Sequence, residues 1–581
     1  MAKLLKENFL DRLKLSASQN SSLEFMPDWL CENTQHPMRV SKPWSFDEHE
    51  FQIDIVKSTS HKQSIKKCSQ VGLSEVAARK ALALAALRQG TQIIYTLPTG
   101  AFASMFAKTR VDTIIENSPT MSAMIDKDTN NSKLKRLGSS FIHFVGTYSA
   151  SSPISIPASY VISDEVDFSD QSVLTEFNSR LGHQKESESA NIKFSTPTVE
   201  GYSISADFEL SSQARYAVNC TSCNTWVIPE FLKDVIIPGN DIPIVDLTRY
   251  DIASIGDKVD HSYLSCPKCR KDLAPSLLNK DRRAWVHAYP DKRKDHEGFQ
   301  VVPYDVYAVN PIKRTLKQLL DYKRVASWYN FKLGQTYSDD TTKFNIQTVK
   351  NNTVVTNTTG VTGAVIGCDV GKISWVSVGV PFTNSTTGDV EQLDVIDLIR
   401  IDTTKLPAGS TLGQEIVKIA NKYFASVVIV DAAPDFTTAQ HVHKLYLTGQ
   451  AYGNYYVNET TFAKDMTHWK IDDRKGVCLS ARTSSLDDLC DNINSGRVKF
   501  PVNKNMDDVM NHLDALKRIE DEGGREARWV KRDKAEDHWA HALNYLAIAA
   551  QIATGSGMAS IFEIIPSISA VGMKAGKRMK F

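Results

Sequence analysis

The chain reads as an α/β protein, a parallel-sheet domain followed by a second α/β domain, with a cysteine-bearing insertion between them. Three observations carry this. At 581 residues it is too long for one hydrophobic core. From Trp44 to Thr198, apolar β-type runs alternate with helical segments, and a second alternation of this kind begins at Ala364. Between them stand two cysteine pairs, within Cys220–Cys269.

Residues 1 to about 40 are polar and irregular, which predicts an N-terminal arm suited to a partner. The first α/β core is expected over 41–215. Within it Gly72-Leu73-Ser74 opens an Ala/Leu-rich helix, Glu75–Gln89, which Gly90 ends before the buried strand Ile93–Leu97. The insertion is assigned to 216–285 and the remainder of the first domain to 286–350. Asn351–Gly363 is rich in Thr, Asn and Gly and has no helical period, so it is read as the linker. The second α/β domain, 364–556, starts with a strand pair (Ala364–Pro381, Gln392–Ile401). A helix (Gly413–Phe424) and the strand Val427–Val430 follow. A basic tail, 557–581, ends in Lys574, Lys577, Arg578 and Lys580.

Composition is that of an ordinary globular protein, 42% hydrophobic and 23% charged. Lys plus Arg (68) nearly cancels Asp plus Glu (67), so contact with nucleic acid must come from local patches. The N-terminus has no secretory pattern, and the most apolar runs, Ala81–Leu87 and Leu546–Ala553, are too short to span a bilayer. Nine cysteines without a signal sequence point to thiols or metal rather than a disulfide framework. A soluble, non-secreted protein with no membrane partner is expected.

Lys67-Cys-Ser-Gln-Val-Gly72-Leu-Ser74 has the outline of a phosphate-binding loop. Gly72 and the Ser74 hydroxyl stand just before a helix, whose N–H groups can cradle phosphate while Ser74 meets Mg²⁺. The usual lysine slot holds Leu73, and Lys67 takes the place of the first glycine. The bland reading is an N-cap at Ser74 beside a surface lysine pair, Lys66 and Lys67. Downstream, the apolar strand Tyr160–Ser163 runs into Asp164-Glu165, where the first acid can hold Mg²⁺ and the second can polarise an attacking water. A further strand, Ile192–Ser195, ends in the hydroxyls of Ser195 and Thr196.

The displaced-lysine loop, the Ser-Asp-Glu-Val-Asp strand end and the Ser-Thr-Pro motif, in that order, resemble the ATPase of phage terminase large subunits, lambda-like branch. The resemblance implies a P-loop NTPase-type motor in which Lys67 is the loop lysine and Asp164 and Glu165 are the metal-binding and catalytic acids. It further implies that Ser195 and Thr196 couple hydrolysis to movement and that Gln52, within Trp44–Gln52, senses adenine. An arginine finger is expected, with Arg79, Arg136 and Arg180 all open.

Cys220-Thr-Ser-Cys223 and Cys266-Pro-Lys-Cys269 suit tetrahedral thiolate coordination of a structural Zn²⁺, with four sulfurs leaving no open position. Four unrelated thiols or a redox pair is the alternative, and His261 is a spare ligand. The segment between the knuckles is longer than in a short zinc ribbon. Terminases of the same branch carry similar pairs between motor and nuclease.

In the second domain, apolar strands end at Asp369 and at Asp431, and Asp537 falls in an apparent helix, Lys534–Thr554, with His541 one turn on and Asp533 one turn back. Acids from two strands and a helix can hold two Mg²⁺ or Mn²⁺ ions for phosphodiester cleavage, an RNase H-like arrangement. Each acid alone is more often a strand-end turn residue. Asp-x-Gly at Asp369 and the Asp537–Tyr545 segment also resemble the terminase nuclease, in which either Asp537 or Asp533 can be the third acid. Arg525, Arg528, Lys531, Arg532 and Lys534 form a basic run suited to phosphates, though such runs are usually solvated faces.

The resemblance covers roughly residues 40–550. It implies ATP, Mg²⁺ (or Mn²⁺) and Zn²⁺ as cofactors. Implied partners are double-stranded DNA, a terminase small subunit, the portal protein of the procapsid and further copies of the chain, in the host cell cytoplasm. Two other readings stand beside it: a helicase-nuclease on free DNA, and a non-enzymatic zinc-bearing DNA-binding protein with a degenerate nucleotide fold. Leu73 in the lysine slot favours the last.

Overall fold

The computed structural model describes residues 23–148, 156–322, 325–337, 343–356, 361–384, 390–433, 436–462, 468–519 and 527–555. The first 22 residues of the expected arm, Arg525 and the basic tail lie outside them. The chain divides into two compact units between Tyr337 and Ser338. Among the described residues no helix is long and apolar enough to cross a membrane.

The first unit is built on a ten-stranded sheet. Its elements are β1 (Lys62–Lys67), α1 (Leu73–Leu87), β2 (Gln92–Leu97), β3 (Leu134–Leu137), β4 (Ser140–Gly146), β5 (Tyr160–Asp164) and β6 (Ala190–Ser195). They continue through α2 (Ile204–Leu210), β7 (Ala214–Asn219), β8 (Trp226–Val227), β9 (Arg283–His287) and β10 (His296–Val301). The order is β8-β7-β10-β1-β6-β5-β2-β4-β3, with β9 on β7. The run β10-β1-β6-β5-β2-β4 is parallel throughout. Parallel strands covered on both faces read as unbroken apolar runs, and Ile93–Leu97 and Tyr160–Asp164 are buried at every position. This is the P-loop NTPase-type parallel sheet, with one strand (β6) between the loop strand β1 and the acid strand β5.

Three expected boundaries change here. Residues from Leu23 on are not an irregular arm: Met26–Asn33 is a helix whose Met26 and Leu30 are buried in the first unit's core. Of residues 286–350, read as the remainder of the first domain or a connector, those up to Tyr337 belong to the first unit, and β10 is a central strand of its sheet. Its late position in the chain is what hid it. Ile312, Leu316, Leu319 and Trp328 share a core with Phe231, Val235 and Leu264 of the cysteine insertion, so the two segments fold as one body.

The linker placed at Asn351–Gly363 is also corrected, because the division falls at Tyr337/Ser338. The helix α3 (Ile346–Asn351) buries Val349 in the second unit, and Asn345 caps it by accepting from the Gln347 and Thr348 amides. The next residues, β11 (Thr353–Val354), pair with a strand of that unit's sheet. Asn351 ends that short helix and Thr353–Val354 form an edge strand, while residues 357–360 lie outside the described residues.

The second unit continues with β12 (Val365–Asp369), β13 (Ile373–Thr383), β14 (Val390–Asp402), α4 (Leu412–Lys422), β15 (Val427–Asp431) and α5 (Thr437–Leu445). Then come β16 (Gln450–Val457), β17 (Trp469–Asp472), β18 (Val477–Ala481), β19 (Val498–Pro501) and α6 (His538–Thr554). The segment read as one strand from Ala364 to Pro381 is two, folded back through Val370–Lys372. The sheet order is β11-β19-β14-β13-β12-β15-β16-β18-β17. At its centre, three antiparallel strands (β14-β13-β12) are followed by β15 and β16 parallel to β12. That third-second-first-fourth-fifth order is the RNase H-like arrangement. Ile366 and Cys368 pack in one core with Ile416 of α4 and Ala439 of α5, and Gly367 and Asp369 point to the opposite face, where α6 lies.

A Cβ at Gly367 would stand 2.2 Å from both the Ala542 carbonyl oxygen and the Leu546 nitrogen, so α6 rests directly on the backbone of β12. Ser377 of β13 donates to the same carbonyl at 2.8 Å. Replacing Gly367 by Val should push α6 off the sheet and destabilise this unit by about 1–3 kcal/mol or more. Thermal unfolding of the full chain would read this as a lowered transition for the second unit, with the other unchanged.

Candidate functional sites

In-register parallel pairing makes β1, β6 and β5 finish together, with Lys66 opposite Ser195 and Phe194 opposite Asp164. Lys67, Asp164 and Ser195, the last residues of three strands, and Glu165, one residue beyond β5, therefore share one edge. Lys67 is buried and its Nζ lies 2.8 Å from Glu165 Oε1. Burial opposes the lysine charge, but Glu165 and then Asp164 carry its pKa above the ordinary value. Glu165 sits in the left-handed region (φ 55°), where a non-glycine residue is strained, and its amide donates to the Phe194 carbonyl. Its second oxygen accepts from Ser195 Oγ at 3.3 Å.

Asp164 is almost fully buried, and burial, then the neighbouring Glu165, pushes its pKa up to about 7. One of its oxygens has no protein partner. Ser74 hydrogen-bonds Asp164 and caps nothing: the N-cap of α1 is Gly72, at φ 75°. The N-cap reading of Ser74 is thus wrong. Gly72 is required twice over, since a Cβ there would also come within 2.9 Å of Gln52 Nε2. Gln52 donates to the Val71 carbonyl at 2.8 Å, and its own carbonyl oxygen is buried without a partner. The Thr196 hydroxyl is likewise buried and unpartnered.

Sequence reasoning missed three supports. Asp167 accepts from Thr198 (amide and hydroxyl, both 2.8 Å) and from the Ile204 amide at 3.0 Å, tying the acid turn to the Ser-Thr-Pro segment and α2. The Phe331 carbonyl accepts from the Ser69 amide, and Gly334 fits against Cys68 where a Cβ would clash with backbone. Lys332 Nζ lies 3.4 Å from Gln70 Oε1 on the loop. Only the Ser-Asp-Glu-Val-Asp spacing hinted at the first, and no sequence signal marked the other two. Of the open arginines, Arg79 is fully buried, paired with Glu75 and stacked on Trp44, so it is structural. Arg136 pairs with Asp126 on the edge strand β3.

In the second unit, Asp369 and Asp431 end adjacent parallel strands, one residue beyond the paired Cys368 and Val430. Burial, then the Asp369 charge, pushes Asp431 up to about 6. Asp431 accepts from Tyr545 at 3.3 Å, and Asp369 is 2.8 Å from His538 Nδ1, which stacks on Trp375. His538 was missed because it was read only as part of the Asp537–Tyr545 segment and given no role of its own. That helix starts later than expected: Asp537 is its N-cap, not an interior residue, and Lys534 has a positive φ that breaks any earlier turn. Lys531 Nζ (3.3 Å) and His541 (3.2 Å) face the Asp537 carboxylate and hold its pKa well below the ordinary value in spite of burial. Among the described residues the only convergent set of three or more metal-ligand side chains is the four cysteines. Asp369, Asp431 and Asp537 do not close on one point.

Residues 40–284 match the family model of the phage terminase large subunit gpA, ATPase domain. Over that stretch, less than half of the chain, it is similar to the phage terminase large subunits. The matched stretch corresponds to that family's ATPase domain and contains Lys67, Asp164, Glu165, Ser195 and all four paired cysteines. No curated protein matches the chain. Among solved structures it is similar to the HK97 bacteriophage large terminase, at 11% identity over 90% of this chain and 98% of that one, with a TM-score of 0.47. The Thermus phage P74-26 large terminase ATPase domain is 15% identical over 49% of this chain and 93% of that one, TM-score 0.30. The large terminase nuclease of phage G20c is 15% identical over 35% and 96%, TM-score 0.21.

In the insertion, Cys220, Cys223, Cys266 and Cys269 bring their sulfurs within 4.8 Å of one another. The two knuckles are built alike. Cys220 and Cys266 each accept at their carbonyl from the amide four residues on, and Asn224 and Arg270 adopt positive φ to close the turns. Sγ···Sγ distances of 3.7 Å (Cys220–Cys269) and 3.9 Å (Cys223–Cys266) are too long for disulfides. They match the roughly 3.8 Å edge of a tetrahedron with zinc–sulfur bonds of about 2.3 Å. The cage therefore fits Zn²⁺, and Cys220 and Cys266 lie in the core that joins the insertion to Ile312–Leu333. Elemental analysis should find one zinc per chain. Cys266→Ser should lose that zinc and lower soluble yield and the first unit's unfolding temperature; zinc-free, fully folded wild-type protein would refute the cage.

Proposed function

We propose that this chain is a DNA-packaging terminase that uses Lys67, Gly72, Ser74, Asp164 and Glu165 to hydrolyse ATP and so drive double-stranded DNA into a procapsid, and that its second unit cuts that DNA. The observation that carries the motor is the 2.8 Å pair of Lys67 and Glu165 beside an Asp164 oxygen that lacks a partner. A magnesium ion, when bound, supplies charge neutralisation on the phosphates, and the Ser74 hydroxyl and the unpartnered Asp164 oxygen are the groups that would hold it. Amides at the α1 N-terminus and Lys67 bind phosphate oxygens. Those oxygens compete with Glu165 for the lysine, and Glu165, once released, takes a proton from the attacking water. Ser195, already bonded to Glu165, and Thr196 sense that change and pass it to α2 through Thr198 and Asp167. The unpartnered carbonyl of Gln52 is suited to accept from an adenine amine.

The nuclease reading rests on Asp369 and Asp431 side by side, with Asp537 next to His538 as the proposed third acid; Asp533 is kept as its control. Divalent Mg²⁺ or Mn²⁺ would supply charge stabilisation in phosphodiester cleavage, and such an ion would offset the burial and, after it, the Asp369 charge that raise Asp431. A small subunit, the portal protein and further copies of the chain are the proposed partners in the host cell.

Glu165→Gln should retain ATP binding and lose hydrolysis by roughly a hundredfold or more, and Lys67→Ala should weaken both; DNA-stimulated phosphate release and nucleotide binding measure the split. Wild-type turnover in Lys67→Ala would transfer the phosphate contact to another residue. Asp369→Asn and Asp431→Asn should each abolish Mn²⁺-dependent cleavage of plasmid DNA and leave ATP hydrolysis intact. Undiminished cutting by both would remove the nuclease assignment.

A further inference from the structure

We propose that Asn454 is a further ligand of the divalent-cation site at Asp369 and Asp431, presenting its side-chain oxygen to the ion. This rests on the reading of those two acids as a cation site. Asn454 lies directly opposite Asp431 in the parallel register of β15 and β16. Registered residues of parallel strands share a sheet face at a spacing of about 4.8 Å. Asp369, Asp431 and Asn454 therefore stand in a row across three successive strands, on the face that carries α6.

The Asn454 side chain is 1% exposed, and neither its oxygen nor its nitrogen has a hydrogen-bond partner. A buried amide left unpaired at both ends is costly, and an apolar side chain of the same size would avoid the cost. The neighbouring hydroxyls are engaged elsewhere: Tyr545 with Asp431, and Tyr456 with His541 and Asn544. An amide carbonyl is a hard, neutral oxygen donor of the kind Mg²⁺ and Mn²⁺ accept. It adds a ligand without adding a third negative charge to a pair that already repels itself, while Asp537 is held by Lys531 and His541.

The test uses the full chain, zinc-loaded and nucleotide-free, with Mn²⁺ as the probe. Free Mn²⁺ is followed by electron paramagnetic resonance, and thermal unfolding is recorded with and without Mn²⁺. Asp369→Asn defines how much binding belongs to this site. Asn454→Leu should weaken that binding about 10–100-fold and abolish the Mn²⁺-induced rise in unfolding temperature. Its unfolding temperature without Mn²⁺ should hold or rise, because the unpaired groups are gone. Asn454→Asp, which keeps the oxygen and adds charge, should bind Mn²⁺ more tightly than wild type. Wild-type Mn²⁺ affinity in Asn454→Leu, with binding lost in Asp369→Asn, would overturn the inference and spare the cation site. Equal binding by wild type and Asp369→Asn would overturn both. Should the leucine variant fail to fold, unchanged or weaker binding by Asn454→Asp overturns the inference.

Discussion

Parallel strands that are hydrogen-bonded in register finish together, and both units of this chain place their candidate site residues along such a finish. In the first unit β6 lies between the loop strand and the acid strand, so Lys67 and Glu165 reach each other across a strand that contributes Ser195 between them. In the second, β12 and β15 are direct neighbours, and their terminal acids stand side by side. Changing the register of any of these strands by one residue would turn its polar end to the opposite face.

The two edges handle buried charge differently. At the motor edge two acids are adjacent in sequence, and Lys67 offsets them, so the cluster is stable while still being able to exchange partners. At the second unit's edge no lysine stands beside the two acids among the described contacts, His538 faces Asp369, and burial, then the Asp369 charge, pushes Asp431 up to about 6. A site that holds negative charge without a matching lysine favours a cation. Asp537 shows the contrast: Lys531 and His541 satisfy it within the protein, and its pKa falls instead of rising.

Glycine marks where these edges depend on close approach of backbone. Gly72 turns the loop into α1 through a positive φ, and Gly367 lets α6 lie against β12. The cysteine insertion solves a different problem. Its short strands and helices form a core continuous with Ile312–Leu333, and that segment in turn carries the Phe331 carbonyl and Gly334 that brace the phosphate loop. A metal held by the four cysteines would thereby bear on the geometry of the loop that follows β1.

The α/β class, the helix after Gly72, the strands ending at Asp164, Asp369 and Asp431, and the paired cysteines were all legible in the sequence, because local periodicity and motif spacing encode them. The zinc-type cage needed only two short turns of known geometry. What local pattern could not carry was long-range pairing. Only the tertiary structure placed His296–Val301 in the centre of the first sheet, moved the division to Tyr337/Ser338, and set Thr353–Val354 at an edge of the second unit. It also began α6 at His538, which sets Asp537 against Lys531 and brings His538 to Asp369. Asn454 was invisible in the sequence for the same reason. An asparagine within an apolar strand acquires meaning only from the strand beside it, and strand register is a property of the folded sheet, not of the segment.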